Sequence, residues 1–486
     1  MHDIAPLDYT RPSCWFTETL KAKPPQPIRT AIWHGVSASG GRITAAAFVF
    51  KPFKPFKPLS ESRSDSTLDV SPSLDRTAPK PGEIWVCTKI PATRLCDLRH
   101  ASGLVVEAGS STSHEILLAR DLGLPIVVGV VGIVNALNTG DLLEVDANTG
   151  EVMRYSGSRS SVRLSSNRNV RQRDTLQLNT DQLHTSVPPL RNDQPSPPSI
   201  AIYSGKLQHQ VALRVSLSYL ERNLSLERAW GGIGLLRSEM LAFTEGIELT
   251  LNPTPREYGE LYRWLHQRLM LAIKLCGQRS LFYRIFDRLT PDATLLDRGI
   301  HLYLDQPTLF DLQLNVLAEL HHNGQTHIRL LLPFVRSCAE LEFCWQRLER
   351  LGFDRTNSSI EVWIMAEVPS VLVLLEEYCQ MGISGIAIGT NDLAALMLGL
   401  DREDGRSAAI VKAARPALHA AVLALAATTR RHGIACQLCD DEIVDDPETL
   451  GDLLNAGVTA LSVSIDRLAK AEQALAVSLG VDPGTH

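Results

Sequence analysis

The sequence predicts an α/β protein in two parts, a small α/β domain followed by a closed (β/α)8 TIM barrel. Three observations lead to this fold class. The 486 residues are too many for one ordinary core. Eight apolar, strand-like runs alternate with helical segments in the carboxyl-terminal part, a pattern typical of a parallel barrel. Two polar, proline-rich stretches interrupt and follow the first domain, and both have too little apolar content to form a core.

The domain boundaries are predicted from these shifts in composition. Residues 1–27 are expected to be an amino-terminal tail, and 28–155 an α/β domain with a disordered insert at about 51–81 that begins KPFKPFKP. Residues 156–200 are polar and rich in proline, which predicts a flexible linker. The barrel is predicted over 201–486.

Composition and charge exclude several classes of protein. The net charge of -6 is spread along a well-mixed chain, which argues against nucleic-acid binding and leaves small anionic substrates open. The start MHDIAPLDYTRPSCW has no signal-peptide pattern, and no run of about 18 apolar residues could cross a membrane. Nine cysteines without a secretion signal indicate reduced thiols. We therefore expect a cytoplasmic protein without nucleic-acid or membrane partners.

In the first domain, the segment Gly109–Val130 predicts a loop, a short helix and a buried strand. Thr112 and Glu115 have the spacing of a capping box, which places His114 in the first helical turn. Free backbone N–H groups and the positive end of the helix dipole favour an anion there, and phosphate is the natural candidate. The alternative is a hydrogen-bonded histidine with no chemical role.

The eight runs of the predicted barrel occur in the order QVALRVSLS, GIGLLRSE, LFYRIFD, HIRLLLPFV, EVWIMAEVP, GIAIGTND, IACQLCDD and ALSVSID. Catalytic groups of such barrels lie at the carboxyl ends of the strands. Five of the eight runs end in charged or reactive side chains, which indicates a shared site. These side chains are Arg237, Glu239, Arg284, Asp287, Glu367, Asn391, Asp392 and Cys439.

A divalent cation site is predicted from two of these carboxylates. Glu367 and Asp392 end consecutive strands, so both can point into one barrel mouth, and hard cations prefer such oxygen ligands. Mg²⁺ fits best, and Mn²⁺ is possible. The alternative is that both carboxylates pair with nearby arginines.

Four arginines can reach the same mouth, namely Arg237, Arg284, Arg298 and Arg402. Guanidinium groups bind phosphate and carboxylate in a bidentate manner, so a substrate that carries both groups could use them all. Each arginine could also be an ordinary surface residue.

Cys436 and Cys439 form a CxxC motif. No second pair lies at zinc-site spacing, so a structural zinc is not expected. Cys439 therefore remains a candidate acid on its own.

Taken together, these motifs resemble the phosphoenolpyruvate-utilising enzymes, closest to enzyme I of the bacterial sugar phosphotransferase system. The stretch STSHEILLARDLGLPIVVG is similar to the phosphohistidine signature of that family. Further similar stretches follow in the family's order: GIGLLRSEML, YRIFD, RGIHLYL, IMAEVPS, IGTNDL, LDR and CQLCDDEIVDDP.

The resemblance implies a swivelling phosphohistidine domain whose His114 takes the phosphoryl group from Mg²⁺-bound phosphoenolpyruvate and leaves pyruvate. It also implies a homodimer through the barrel. The implied roles are metal ligands for Glu367 and Asp392, a phosphate contact for Asn391, a phosphate clamp for Arg237 and Arg284, further substrate contacts for Arg298 and Arg402, and the enolate proton donor for Cys439.

The sequence also departs from the family pattern. The helical domain for the carrier protein is replaced by the KPFKPFKP insert and no ATP-binding domain is expected, so the acceptor is unknown. Gly109-Ser110-Ser111 replaces Gly-Gly-Arg before the histidine motif, which removes a positive charge. The loop RLTPDATLLDRGI replaces a glycine-rich, lysine-bearing loop. Asp440, Asp441 and Glu442 replace Gly-Glu after the thiol and are expected to raise its pKa.

Three functions are therefore compared. The favoured one is a phosphotransferase that moves phosphate from phosphoenolpyruvate to His114 and then to an unknown acceptor. The second is a non-catalytic regulator that binds phosphoenolpyruvate or pyruvate. The third is a metal-dependent lyase or aldolase that acts on pyruvate, in which the histidine domain would have no purpose.

Overall fold

The computed structural model describes residues 28–51, 78–111, 113–156, 202–203, 211–220, 230–355, 360–402 and 407–480. The predicted tail, the predicted linker after Ser156 and most of the predicted insert lie outside these residues. The predicted domain boundaries therefore stay predictions.

The first domain is built on one eight-stranded sheet in the order β1-β8-β7-β3-β4-β5-β6-β2. Strands β3 to β6 run parallel, and the remaining neighbours are antiparallel. The strands are β1 (Ile28–His34), β2 (Val36–Ser39), β3 (Arg42–Val49), β4 (Ile84–Cys87), β5 (Gly103–Val106), β6 (Ile126–Val128), β7 (Leu142–Asp146) and β8 (Glu151–Ser156). The predicted hairpin that turns at Asn148-Thr149-Gly150 is confirmed by the pairing of β7 with β8.

Three short helices complete this domain: a 3-10 helix (Ala92–His100), α1 (His114–Asp121) and α2 (Ile133–Ala136). The N-cap of α1 is Ser113. The capping-box spacing predicted Thr112 instead, which lies outside the described residues. The helix nevertheless begins at His114, so the predicted position of this residue in the first turn is confirmed.

The second part is a closed barrel of eight parallel strands, as the sequence predicts. Pairing of β10 with both β17 and β11 closes the ring, and a short antiparallel strand, β9, adds to β10. The strands are β9 (Ile202–Tyr203), β10 (Val211–Leu217), β11 (Gly232–Arg237), β12 (Ser280–Arg284), β13 (Ile328–Leu332), β14 (Val362–Ala366), β15 (Gly385–Gly389), β16 (Ala435–Cys439) and β17 (Ala460–Ser464).

Helices cover the outside of the barrel. The longest, α4, begins with a full capping box, in which Thr254 and Glu257 satisfy each other's backbone N–H groups. The helices are α3 (Ser238–Thr244), α4 (Pro255–Cys276), α5 (Thr308–His322), α6 (Cys338–Arg350), α7 (Val371–Gln380), α8 (Thr390–Met397), α9 (Ser407–Ala413), α10 (Arg415–His432), α11 (Pro447–Ala456) and α12 (Leu468–Leu479). Among the described residues, 3-10 turns lie at Leu295–Asp297, Ile300–Tyr303, Ile443–Asp445 and Ile465–Arg467.

The barrel interior is a packed core, not a pore. Phe282 and Trp363 meet edge to face with their ring centroids 4.7 Å apart, and Cys439 belongs to the same interior cluster. Cys436 instead packs in the larger core between strands and helices. The two cysteines therefore lie on opposite faces of the barrel wall, as the alternation of a strand requires for positions three apart.

None of the helices in the described part of the chain has the length and apolar character needed to cross a membrane.

Candidate active site

His114 connects the two parts of the molecule. It is the first residue of α1, yet its side chain lies in the barrel mouth and is only 3% exposed. Nη2 of Arg288 lies 3.1 Å from Nδ1 and 3.2 Å from Nε2 of the histidine. Nη1 of Arg402 lies 3.2 Å from the same Nε2. The imidazole is therefore held among cations.

These surroundings fix the charge of the imidazole. Burial lowers the pKa of His114 well below its ordinary value, and Arg288 and Arg402 lower it further. Arg298 and Arg284 act in the same direction from a greater distance. A neutral imidazole with a free lone pair is the form that can act as a nucleophile.

The end of α1 anchors the histidine domain to the barrel. Arg120 pairs with Asp441 at 3.1 Å and with Asp466 at 3.0 Å, two residues that follow the last two barrel strands. The carboxylate of Asp121 accepts the backbone N–H of Ser218, which follows β10, at 2.6 Å. One end of a single short helix thus binds the barrel, and the other end presents His114 to its mouth.

Buried ion pairs link the predicted arginines to the carboxylates of the mouth. Arg298 bridges Asp287 and Asp392, with its closest contacts at 2.5 Å and 2.8 Å. Arg402 also binds Asp392, at 2.5 Å. Arg284 is paired with Glu239, and both side chains are buried. For Asp392, the arrangement that the sequence left as the alternative, a carboxylate paired with arginines, is the one observed.

The other two predicted substrate contacts lie in the same mouth. Arg237 ends β11 and donates from Nη1 to the hydroxyl of Ser218 at 3.3 Å. Asn391 is the second residue of α8 and precedes Asp392. The predicted polar residues of the barrel thus lie at the carboxyl ends of its strands or in the loops and helices that follow them.

Glu367 is a buried acid of the mouth whose pKa is raised. It follows β14, is 1% exposed and accepts the backbone N–H of Phe334 at 2.9 Å. The pKa of Glu367 is raised to about 7, chiefly by burial and in smaller part by repulsion from Asp392 and Asp287. Burial alone would raise the pKa of Asp392 too, but Arg298 and Arg402 outweigh burial and hold it below its ordinary value.

The donor set of the mouth is compatible with a divalent cation. One oxygen each of Glu239 and Asp287 is buried without a hydrogen-bond partner among the described residues, and such oxygens are potential cation ligands. A cation beside Glu367 would relieve the repulsion that raises its pKa. In the described part of the chain, however, no group of three or more His, Cys, Asp or Glu side chains is assembled for a metal. Two carboxylates with water completing the shell suit Mg²⁺.

Cys439 ends β16 and faces the barrel interior. It is 9% exposed, and Nε2 of Gln437 lies 3.5 Å from its Sγ. The pKa of Cys439 is raised to about 11, chiefly by burial and in smaller part by Glu367. The predicted direction is confirmed, but the predicted cause is wrong. The leading cause is burial. Asp441 binds Ser464 and Arg120, and the carboxylate of Asp440 accepts two backbone N–H groups.

Sequence reasoning missed two residues of the site. Arg288 touches the histidine from the loop after β12, and Gln437 touches the thiol from within β16. A signal for Arg288 was present, since it follows the strand-end residue Asp287 directly. Gln437 gave no signal, because a single glutamine within an apolar strand does not indicate which group it will contact.

Replacing Arg298 with alanine is expected to destabilise the barrel. Asp287 and Asp392 would lose a shared buried partner, and breaking such a pair costs about 3–5 kcal/mol of the free energy of unfolding. Urea unfolding followed by tryptophan fluorescence measures this. Arg256, whose pair with Glu260 is exposed, serves as the control and should tolerate alanine without measurable loss. Equal stability of the two variants would contradict the buried bridge.

The geometry defines a TIM barrel whose arginine- and carboxylate-rich mouth is closed by a histidine from a second domain. The chain belongs to the phosphoenolpyruvate-utilising enzyme family. The family's phosphoenolpyruvate-binding domain matches residues 208–479, more than half of the chain, and its mobile domain matches residues 79–150. The resemblance stated from the motifs is confirmed.

Curated relatives of this chain have two kinds of name. Phosphoenolpyruvate synthase of Pyrococcus furiosus is 22% identical over 466 residues, which cover 93% of this chain and 53% of that protein. Proteins called phosphoenolpyruvate-dependent phosphotransferase system are 28% identical in Salmonella typhimurium over 78% of this chain, and 28% identical in Escherichia coli over 81% of it. These matches cover 49% and 51% of the relatives. The chain thus spans about half the length of the curated relatives that it matches.

Proposed function

We propose that this chain transfers the phosphoryl group of phosphoenolpyruvate to His114 and releases pyruvate. One observation carries the proposal: a histidine from the mobile domain is buried in the mouth of the phosphoenolpyruvate-binding barrel, within 3.2 Å of two guanidinium groups. Phosphoryl transfer depends mainly on positioning and on neutralising charge, and this arrangement serves both needs.

Donors without partners support an anionic substrate in this mouth. Nε of Arg284 and Nε of Arg288 are both buried without a hydrogen-bond partner among the described residues. A buried N–H group that lacks a partner is costly, and phosphate or carboxylate oxygens would satisfy both. The predicted contacts of Arg237, Arg298 and Arg402 with the substrate are part of the same proposal, as is that of Asn391.

The chemical step starts from the neutral imidazole. A lone pair of one ring nitrogen forms the N–P bond while the bond between phosphorus and the enol oxygen breaks. The electron pair of the broken bond stays on the oxygen of the pyruvate enolate, and the proton on the other ring nitrogen stays in place. The enolate then takes a proton at its methylene carbon from Sγ of Cys439, and water returns a proton to the thiolate.

Glu367 and Asp392 are the residues that would hold Mg²⁺ or Mn²⁺. A bound divalent cation supplies charge neutralisation for the phosphate and for the enolate oxygen. In this proposal the arginines orient the substrate, the imidazole of His114 accepts the phosphoryl group and the thiol of Cys439 donates the proton. The acceptor that takes the group from His114, and a dimer through the barrel, stay predictions.

His114→Ala is expected to abolish labelling by phosphoenolpyruvate that carries ³²P, because the variant lacks the imidazole that accepts the phosphoryl group in this proposal. The measurement is acid-labile label on the purified protein with Mg²⁺ present. His100→Ala is the matched control, since it removes an exposed histidine of the same domain. Acid-labile label that survives in His114→Ala would overturn the proposed function.

A further inference from the structure

Arg288 is a buried cation without a carboxylate partner. Its side chain lies in the loop after β12, and the residue is 4% exposed. Nη2 faces the imidazole of His114, Nη1 donates to the carbonyl of Pro291 at 3.2 Å, and Nε has no partner among the described residues. No carboxylate of the described residues lies within ion-pair distance of this guanidinium, unlike those of Arg284, Arg298 and Arg402.

Nε of this guanidinium has no partner among the described residues, which indicates an anion bound beside the histidine. A buried cation that no carboxylate contacts is costly, although Asp287, Asp392 and Glu239 attract this one from beyond ion-pair distance. The cost is offset when an anionic ligand binds, and Nε and Nη2 lie on the same edge of a guanidinium, where they can bind two oxygens of one phosphate. The segment Gly109-Ser110-Ser111 before the histidine brings no positive charge of its own.

We propose that Arg288 is a catalytic residue of the transfer to His114, which holds the phosphoryl group as it moves from the enol oxygen to the imidazole. The proposal rests on the proposed function and adds a residue to it. As the N–P bond forms and the P–O bond breaks, negative charge is spread over the three other oxygens of phosphorus. Arg288 donates to those oxygens from the side of the acceptor nitrogen, and the enolate leaves with the electron pair of the broken bond.

A second effect of Arg288 is to disfavour the protonated imidazole. Loss of one cation facing His114 raises the pKa of this histidine, and only the neutral ring accepts the phosphoryl group. The charged groups that act on the ring are the cations Arg288, Arg402, Arg298 and Arg284. The carboxylates Asp287 and Asp392 bind Arg298 and, with Glu239, act on Arg288, and Glu115 follows the histidine on α1.

The test compares Arg288→Gln, Arg288→Lys and wild type by rapid-quench labelling with ³²P-phosphoenolpyruvate across pH 5 to 9. Arg288→Gln is expected to lower the labelling rate by about 10²- to 10³-fold, the usual cost of removing one donor to a transition state. The acid limb of its pH–rate profile is expected to move to higher pH. Arg288→Lys should restore part of the labelling rate and part of the wild-type pH profile. Arg256→Gln, at an exposed pair on α4, is the control and should match wild type.

A titration of ¹⁵N-labelled histidine by NMR supplies a readout that does not need activity. His114 is identified by its loss in His114→Ala, and its pKa is expected to be higher in Arg288→Gln than in wild type. The role of Arg288 would be overturned if Arg288→Gln kept the labelling rate and the acid limb of the pH–rate profile of wild type. It would also be overturned if the pKa of His114 were the same in Arg288→Gln and wild type. Wild type that takes no label while the pKa still shifts would instead overturn the proposed function, and with it the catalytic role.

Discussion

Cys439→Ala is expected to lose the exchange of pyruvate methyl hydrogens with solvent deuterium while it still binds phosphoenolpyruvate and metal. Burial keeps the thiol protonated at neutral pH, since its pKa lies at about 11, and its side chain lies at the carboxyl end of a barrel strand. General acids of this kind contribute about 10²- to 10⁴-fold to a rate, so a loss of that size is expected. Proton NMR of pyruvate in D₂O measures the exchange.

Cys436→Ala is the matched control for this prediction. Cys436 lies on the same strand but packs in the outer core, on the other face of the barrel wall from Cys439. Its replacement should cost stability and leave methyl exchange in place. Equal exchange in wild type and Cys439→Ala would show that the thiol is not the acid, and would strengthen the regulator as the alternative function.

Glu367→Gln and Asp392→Asn are each expected to abolish metal-dependent labelling of His114. Both changes keep the size of the side chain and remove a negative charge, which a hard cation requires of its ligands. Affinity for Mn²⁺ is measured by electron paramagnetic resonance. It should fall by more than the roughly 10- to 100-fold loss that is typical when a residue hydrogen-bonded to a metal ligand is replaced.

Glu361→Gln is the control for these variants. Glu361 immediately precedes β14, the strand that Glu367 follows, and it binds Arg329 at 2.7 Å at the opposite end of the barrel. This variant should keep both metal affinity and labelling. Unchanged Mn²⁺ affinity in both Glu367→Gln and Asp392→Asn would rule out the metal site.

Much of the fold could be predicted because each element carries its own signal. The eight runs are short, apolar and separated by helical segments, so β10 to β17 follow from local patterns. His114 at the start of α1 follows from the turn residues around it. The start of that helix was placed one residue too early, because neighbouring serine and threonine residues can both act as N-cap.

The contacts between the parts could not be predicted. Arg288 and Arg402 contact His114 although they lie 174 and 288 positions after it in the sequence. No local sequence pattern predicts contacts over such separations. The pairing of Asp392 with two arginines is likewise decided by how loops fold over the mouth. The cause of the raised pKa of Cys439 could not be predicted either. Its acidic neighbour Asp441 binds Ser464, and burial is the leading cause.

Return of the phosphoryl group to pyruvate is the most direct test of the central claim. Protein labelled with ³²P-phosphoenolpyruvate is freed of small molecules and mixed with unlabelled pyruvate and Mg²⁺, and the products are separated. A phosphoryl group on His114 that came from phosphoenolpyruvate can return along the same path, so labelled phosphoenolpyruvate is the predicted product. Release of label only as inorganic phosphate, at the same rate with and without pyruvate, would contradict the claim.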